Sequence, residues 1–165
     1  MSCKVYGPED QGWRKQCVEE VKSASQVVLV SYMYDAKDIH RALLAELRRR
    51  GKKFQCIIVV DRGIHDTGSG CKDERKMVKE LREAGAQIYL AHGSHGQGKL
   101  SKHCGSCHIK CCLVDNRVAY SGSANFTEAA TKNLEMVFRI TGPPVAHICQ
   151  IVKSLLNSET CHRAT

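Results

Sequence analysis

The sequence predicts an α/β fold, a mixed and mostly parallel sheet with helices on both faces. Three observations carry that expectation. Short apolar runs rich in β-branched residues stand at 26–34 (QVVLVSYMY), 54–61 (FQCIIVVD) and 86–91 (AQIYLA). Helix-length segments lie between them, with apolar residues recurring every three or four positions. The two kinds of segment alternate, which is the pattern of a layered fold with parallel strands. A length of 165 residues suits one domain, 1–165, large enough to bury a core.

Taken in order, residues 10–24 place Trp13, Cys17, Val21 and Ala24 on one stripe of an amphipathic helix. The 26–34 run, bounded by polar residues, reads as a buried strand. Residues 38–51 read as a helix with Asp38 as N-cap, Gly51 at its end and a stripe of Ile39, Leu43, Leu44 and Leu47. The strand at 54–61 follows, then a helix at 72–85, the strand at 86–91 and a Gly- and His-rich loop from His92 to Ser106. CHIKCCLVD (107–115) and RVAYSGS (117–123) meet at Asp115-Asn116, a hairpin signal. A short helix (126–132), a strand (134–140) and a helix (144–157) complete the chain, with no repeat and no linker.

Lys and Arg number 25 against 17 Asp and Glu, a net charge of +8, which favours polyanionic partners: nucleic acid or an anionic membrane surface. Three Phe and one Trp argue against a broad stacking platform. Of the ten cysteines, most sit in apolar runs (Cys56, Cys111, Cys112, Cys149), where the reduced thiol serves as a small hydrophobe. An intracellular, reducing compartment is expected, cytoplasmic or on a mitochondrial surface should an anchor lie outside this sequence. The first residues carry no basic-then-apolar leader, and no stretch of about 18 apolar residues occurs.

The chemistry concentrates at 108–135. Side chains alternate faces along a strand, so His108 and Lys110 are neighbours on one face with Cys112, while Cys107, Ile109, Cys111 and Leu113 point to the other. Asp115 falls at the strand end, where it is expected to bond a local donor, a role more structural than chemical. SGSANFTE reads as a strand entering a helix, with Asn125 as N-cap, Glu128 as its capping partner and N–H groups suited to a phosphate. The alternative at Gly122-Ser123 is a plain turn.

The joint spacing is more specific: His108-x-Lys110, four residues to Asp115, six more to Gly122-Ser123, then Asn125. It resembles the HKD motif of the phospholipase D superfamily. The downstream KNLEMVF is similar to the stretch that supplies a glutamate there, which makes Glu135 the counterpart. The resemblance implies a phosphodiesterase in which one histidine attacks phosphorus and a second, from another motif copy, protonates the leaving oxygen and then activates water. This chain has one copy, so the resemblance implies a homodimer in which each subunit supplies half a site. His108 would be the nucleophile. Lys110, Asn125 and Ser123 would stabilise phosphoryl oxygens, and Glu135 would orient a histidine ring. No metal or other cofactor is then expected.

HCGSCHIKCC (103–112) also holds a C-x2-C and two histidines, the ingredients of a zinc site. His108 is claimed by the motif, Cys111 and Cys112 point oppositely and no second C-x-x-C follows. A set of Cys104, Cys107 and His103 with Cys71 or a loop histidine is the alternative. Arg62, at the carboxyl end of a strand, and Lys99 and Lys102, in the loop before the motif, are candidate substrate contacts. The basic run RRRGKK (48–53) reads as a solvated helix end. The leading function is a metal-independent endonuclease acting on single-stranded DNA or RNA. The alternative is hydrolysis of an anionic phospholipid of the cardiolipin type, since the mitochondrial cardiolipin hydrolase branch, with its Zucchini-type endoribonucleases, shares the motif. A non-catalytic binding module is the third reading.

Overall fold

The three β-branched runs become three adjacent strands of one sheet. The structure is a computed structural model that describes residues 2–8, 10, 12–67, 73–93 and 105–164. Within them, β1 (Ser2–Tyr6) leads to helix α1 (Gly12–Ser23), β2 (Gln26–Ser31), α2 (Lys37–Arg50), β3 (Gln55–Asp61), α3 (Arg62–Thr67), α4 (Glu74–Glu83) and β4 (Gln87–Ala91). The hairpin β5 (Cys111–Val114) and β6 (Val118–Gly122) follows, then β7 (Val137–Thr141), α5 (Pro144–Leu156) and β8 (Cys161–Arg163). The described strands form one sheet in the order β1-β7-β6-β5-β2-β3-β4-β8.

The sheet is mixed, as expected, but its parallel part is confined to β2, β3 and β4. The expected parallel majority is not found, because the second half of the chain returns by hairpins: β5 lies antiparallel to β2, and β6, β7 and β1 continue antiparallel from it. The edge strands β1 and β8 had no signal in the sequence. β1 is exposed at four of its five positions, so it shows no apolar run.

Helices cover both faces, as expected. The stripes Trp13-Cys17-Val21 of α1, Ile39-Leu43-Leu47 of α2 and Met77-Val78-Leu81 of α4 pack with Val27, Leu29, Ile58 and Cys112 on one face. On the other, Val145 and Val152 of α5 pack against Val28, Val30, Val59, Cys111 and Leu113. Each fully buried Leu or Ile contributes roughly 1.5–3 kcal/mol.

Several boundaries move for identifiable reasons. α2 starts at Lys37, with Ala36 rather than Asp38 at the N-cap position. The Asp38 carboxylate is drawn into an ion pair with buried Arg14 of α1. Residues 62–67, expected as loop, form α3, whose first turn is held by the Asp61 carboxylate accepting from Ile64 N–H at 3.0 Å. The strand expected over 107–115 is sheet only from Cys111, since the Cys107 N–H donates to Asp61 Oδ2 at 2.7 Å instead of joining a ladder. The helix expected over 126–132 is one tight turn, Ala129–Thr131. Thr127, just before its N-cap position Glu128, accepts from Ala130 N–H through Oγ1 at 3.2 Å. Asn125 does not cap it, and Glu128 turns away to Arg14 and the Lys37 N–H.

Candidate active site

β2 and β3 run parallel and end together, and β5 starts beside them at that same end of the sheet. The segment entering β5 is pinned there by buried Asp61, which holds the ends of β3 and of the 107–110 stretch at once. The alternation expected from the sequence holds: Cys107, Ile109, Cys111 and Leu113 enter one core, and Cys112 the other. His108 and Lys110 share the remaining direction and flank the end of β2.

The His108 side chain is exposed and its imidazole makes no hydrogen bond or ion pair among the described residues. Its ring lies 4.8 Å from that of Tyr32, tilted by 56°. Lys110 is buried to 6% exposure. Its ammonium donates to the His108 carbonyl at 2.9 Å and stands 5.4 Å from the Tyr32 ring centre. Burial lowers the Lys110 pKa, and the charge of Glu135 works against that.

Ser123 follows β6, and its hydroxyl donates to Glu135 and accepts from Met136 N–H at 3.0 Å. Asn133 Nδ2 donates to the other Glu135 oxygen at 3.2 Å. The close pairing of β6 and β7 explains the glycine between them: a Cβ on Gly122 would lie 2.0 Å from the Met136 carbonyl oxygen. Two residues on, Asn125 carries a buried side-chain oxygen with no hydrogen-bond partner. Its loop is tied down around it. Phe126 N–H donates to Ser31 Oγ at 3.3 Å, and the Phe126 carbonyl accepts from Asp35 and Ala36 at 3.0 and 2.9 Å.

The structure thus gathers Lys110, Ser123 and Glu135 at the end of the sheet that carries His108 and Asn125. Asp115 is elsewhere. It sits at the far end of β5, roughly 20 Å along the strand from His108, where its Oδ1 accepts from Ser25 and Gln26 N–H, both at 2.8 Å. Asp115 and Asn116 both adopt positive φ, 51° and 54°, the backbone of the tight hairpin. The local bonding expected of Asp115 is the bonding observed.

Arg62 lies over β3, two strands or about 10 Å from β5. It bonds Asp66 at 3.2 Å and faces a cleft with His65, Arg82 and His162, apart from the cluster around His108. Lys99 and Lys102 fall outside the described residues, as do Cys71, His103 and Cys104 of the zinc alternative. Cys107 itself is buried, with its thiol pKa raised by burial. Among the described residues no group of three metal-ligating side chains occurs, and the eight described cysteines are free thiols. No described helix is long and apolar enough to cross a membrane.

Two contributors escape a reading of the sequence. Tyr32 faces His108 only because β2 and β5 are neighbours, and Asp61 reaches Cys107 across 46 residues. An aromatic and a carboxylate ending consecutive parallel strands were the available signal.

A family profile described as cardiolipin synthase, PLD-like domain, matches residues 17–156. Among solved structures, the chain is similar to NucT from Helicobacter pylori, at 18% identity and a TM-score of 0.80, over 99% of each chain. It is also similar to Nuc from Salmonella typhimurium, titled a phospholipase D family member, at 23% identity and a TM-score of 0.75, over 99% of this chain and 97% of that one. A phosphatidylserine synthase from Haemophilus influenzae matches 99% of this chain at 13% identity and a TM-score of 0.66, with 39% of its own length covered. No curated protein matches the sequence significantly.

Proposed function

Since the chain belongs to the phospholipase D superfamily, we propose that this phospholipase D-type phosphodiesterase is a metal-independent endonuclease, cleaving single-stranded nucleic acid in a homodimeric site. The observation that carries the reading is the exposed His108 imidazole, without a hydrogen bond among the described residues, beside a buried ammonium and an amide whose oxygen is unpaired there.

A neutral imidazole nitrogen attacks phosphorus, forming an N–P bond as the ester P–O bond breaks. The leaving oxygen takes a proton from the same histidine of a second copy, which then accepts a proton from water as that water displaces His108. Lys110 and the Asn125 amide face the phosphoryl oxygens, supplying donors that a dry site makes effective. Ser123 is fixed by Glu135, so its hydroxyl is oriented before substrate arrives. The net charge of +8 suits a polyanionic strand.

The second reading is an anionic phospholipid diester, favoured by the description of the matching profile. Incubating the purified chain with labelled single-stranded DNA, single-stranded RNA and cardiolipin vesicles in EDTA tests both. Turnover of a strand is expected. Turnover of the lipid alone would establish the second reading, and a strict need for added Mg²⁺ would refute the metal-independent mechanism. Mixing wild-type chain with an excess of His108→Ala chain under subunit exchange should poison activity. Full specific activity from a sedimenting monomer would overturn the shared site.

A further inference from the structure

A groove of about 580 Å³ lies between α1, α2 and the loop that follows β6. Arg14, Lys15, Lys37, Arg41, Asp38, Glu128 and Thr131 line it. Its two carboxylates are both spoken for: buried Arg14 bonds Asp38 and, at 2.8 Å, Glu128. Glu128 also accepts from the Lys37 N–H at 2.9 Å. That leaves the side chains of Lys15, Lys37 and Arg41, all exposed, with no ion pair among the described residues. Lys37 and Arg41 are one helical turn apart on the same side of α2. Arg139 of β7, by contrast, is neutralised by Glu20.

The groove shares its loops with the candidate active site. Its wall residue Glu128 is three positions from Asn125, at most about 10 Å of chain. The Glu128 N–H is bonded to Asp35 at 2.6 Å, on the same loop after β2 that begins with Tyr32. An interhelical spacing of about 8–10 Å puts Lys15 and the pair Lys37/Arg41 on opposite banks. The next cleft adds Lys76 to Lys37 and Arg41, but Asp73 and Glu80 stand there too, so its excess of positive charge is smaller than that of the first groove.

We infer that Lys15, Lys37 and Arg41 form a second binding site, a track that holds the phosphodiester backbone of a nucleic-acid strand beyond the bond being cut. The inference rests on the nucleic-acid reading above. Three fixed cations beside one reacting phosphate give affinity for polymer without sequence preference. They also explain how a surface with few aromatic side chains retains a strand.

The test separates this track from general positive charge, and binding from turnover. A labelled single-stranded oligonucleotide of about 20 nucleotides is titrated with the full chain carrying His108→Asn, by fluorescence anisotropy, across a salt series. Adding Lys15→Gln, Lys37→Gln and Arg41→Gln together should weaken binding about tenfold or more, and flatten the log–log salt dependence by about 2, near 0.7 per lost phosphate contact. Arg48→Gln, Lys52→Gln and Lys53→Gln remove the same charge at the far end of α2, roughly 16 Å from Lys37, and should change affinity by less than about twofold. The charge-conserving set Lys15→Arg, Lys37→Arg and Arg41→Lys should bind like the parent. Equal weakening by both neutralised sets, or none by the first, overturns the track, as does loss of binding to cardiolipin vesicles with strand binding intact. If the triple change disturbs folding, each single change should still remove about a third of the slope difference. A wild-type chain that binds strand through the groove but cuts none would refute the nuclease reading and leave the track standing.

Discussion

The β5–β6 hairpin has two ends, and the same motif supplies polar residues to both. At the turn, Asp115 accepts from two backbone N–H groups at the start of β2, and Asn116 donates to Gln26 Oε1 at 3.1 Å. At the open end, the His108 imidazole has no hydrogen bond and Asn125 leaves a buried oxygen unpaired, among the described residues. Unpaired buried polar atoms are costly and therefore rare in folded proteins. The contrast separates residues that hold the strand in register from residues that the proposed mechanism assigns to the substrate.

The sharpest way to break the comparison is to remove the proposed nucleophile at the open end. His108→Asn should reduce turnover at least about a thousandfold, with the thermal midpoint little changed, since the exposed imidazole holds nothing in the fold. Residual activity above roughly a thousandth of wild type would show that another group attacks phosphorus. Asn125→Ala should lower kcat about a hundredfold to a thousandfold. Because it deletes an unsatisfied oxygen, it should leave stability unchanged or slightly raised. A marked loss of stability would mean that the amide has a structural partner.

Asp115→Ala should do the reverse. Two backbone donors would lose a charged acceptor, at a cost of about 2–4 kcal/mol, a fall in midpoint of roughly 8 °C for a chain of this size. Turnover per folded molecule should stay close to wild type. A large fall in kcat with normal stability would erase the distinction between the two ends.

How far the sequence could be read follows from the range of the interactions. Strands 26–31, 55–61 and 87–91 were legible because burial on both faces writes an unbroken apolar run. The directions of His108 and Lys110 were legible too, because strand alternation is local. Asn125 and Glu128 matched a capping pattern, yet Arg14, 114 residues away from Glu128, takes the carboxylate. Tyr32, Asp61 and the loss of sheet pairing at 107–110 depend likewise on which strands become neighbours, a fact no window of sequence contains. The edge strands were hidden for another reason: being exposed, they have no hydrophobic pattern to show.

The smallest expected effect tests whether the open end works as one electrostatic unit. Burial lowers the Lys110 pKa and the Glu135 carboxylate opposes that, favouring the ammonium. In the proposed mechanism Lys110 acts as a cation, so its contribution should be lost as pH rises through its pKa. Glu135→Gln removes the opposing charge while keeping an acceptor for Ser123, which lets burial act alone and lowers the Lys110 pKa further. The alkaline limb of the kcat profile should therefore move to lower pH in Glu135→Gln, and stay in place in Ser123→Ala, where the carboxylate is retained. Lys110→Arg should move that limb to higher pH, because a guanidinium keeps its proton throughout the range. Limbs that coincide in all three variants would show that a group other than Lys110 sets the alkaline loss, and that the ammonium and carboxylate act independently.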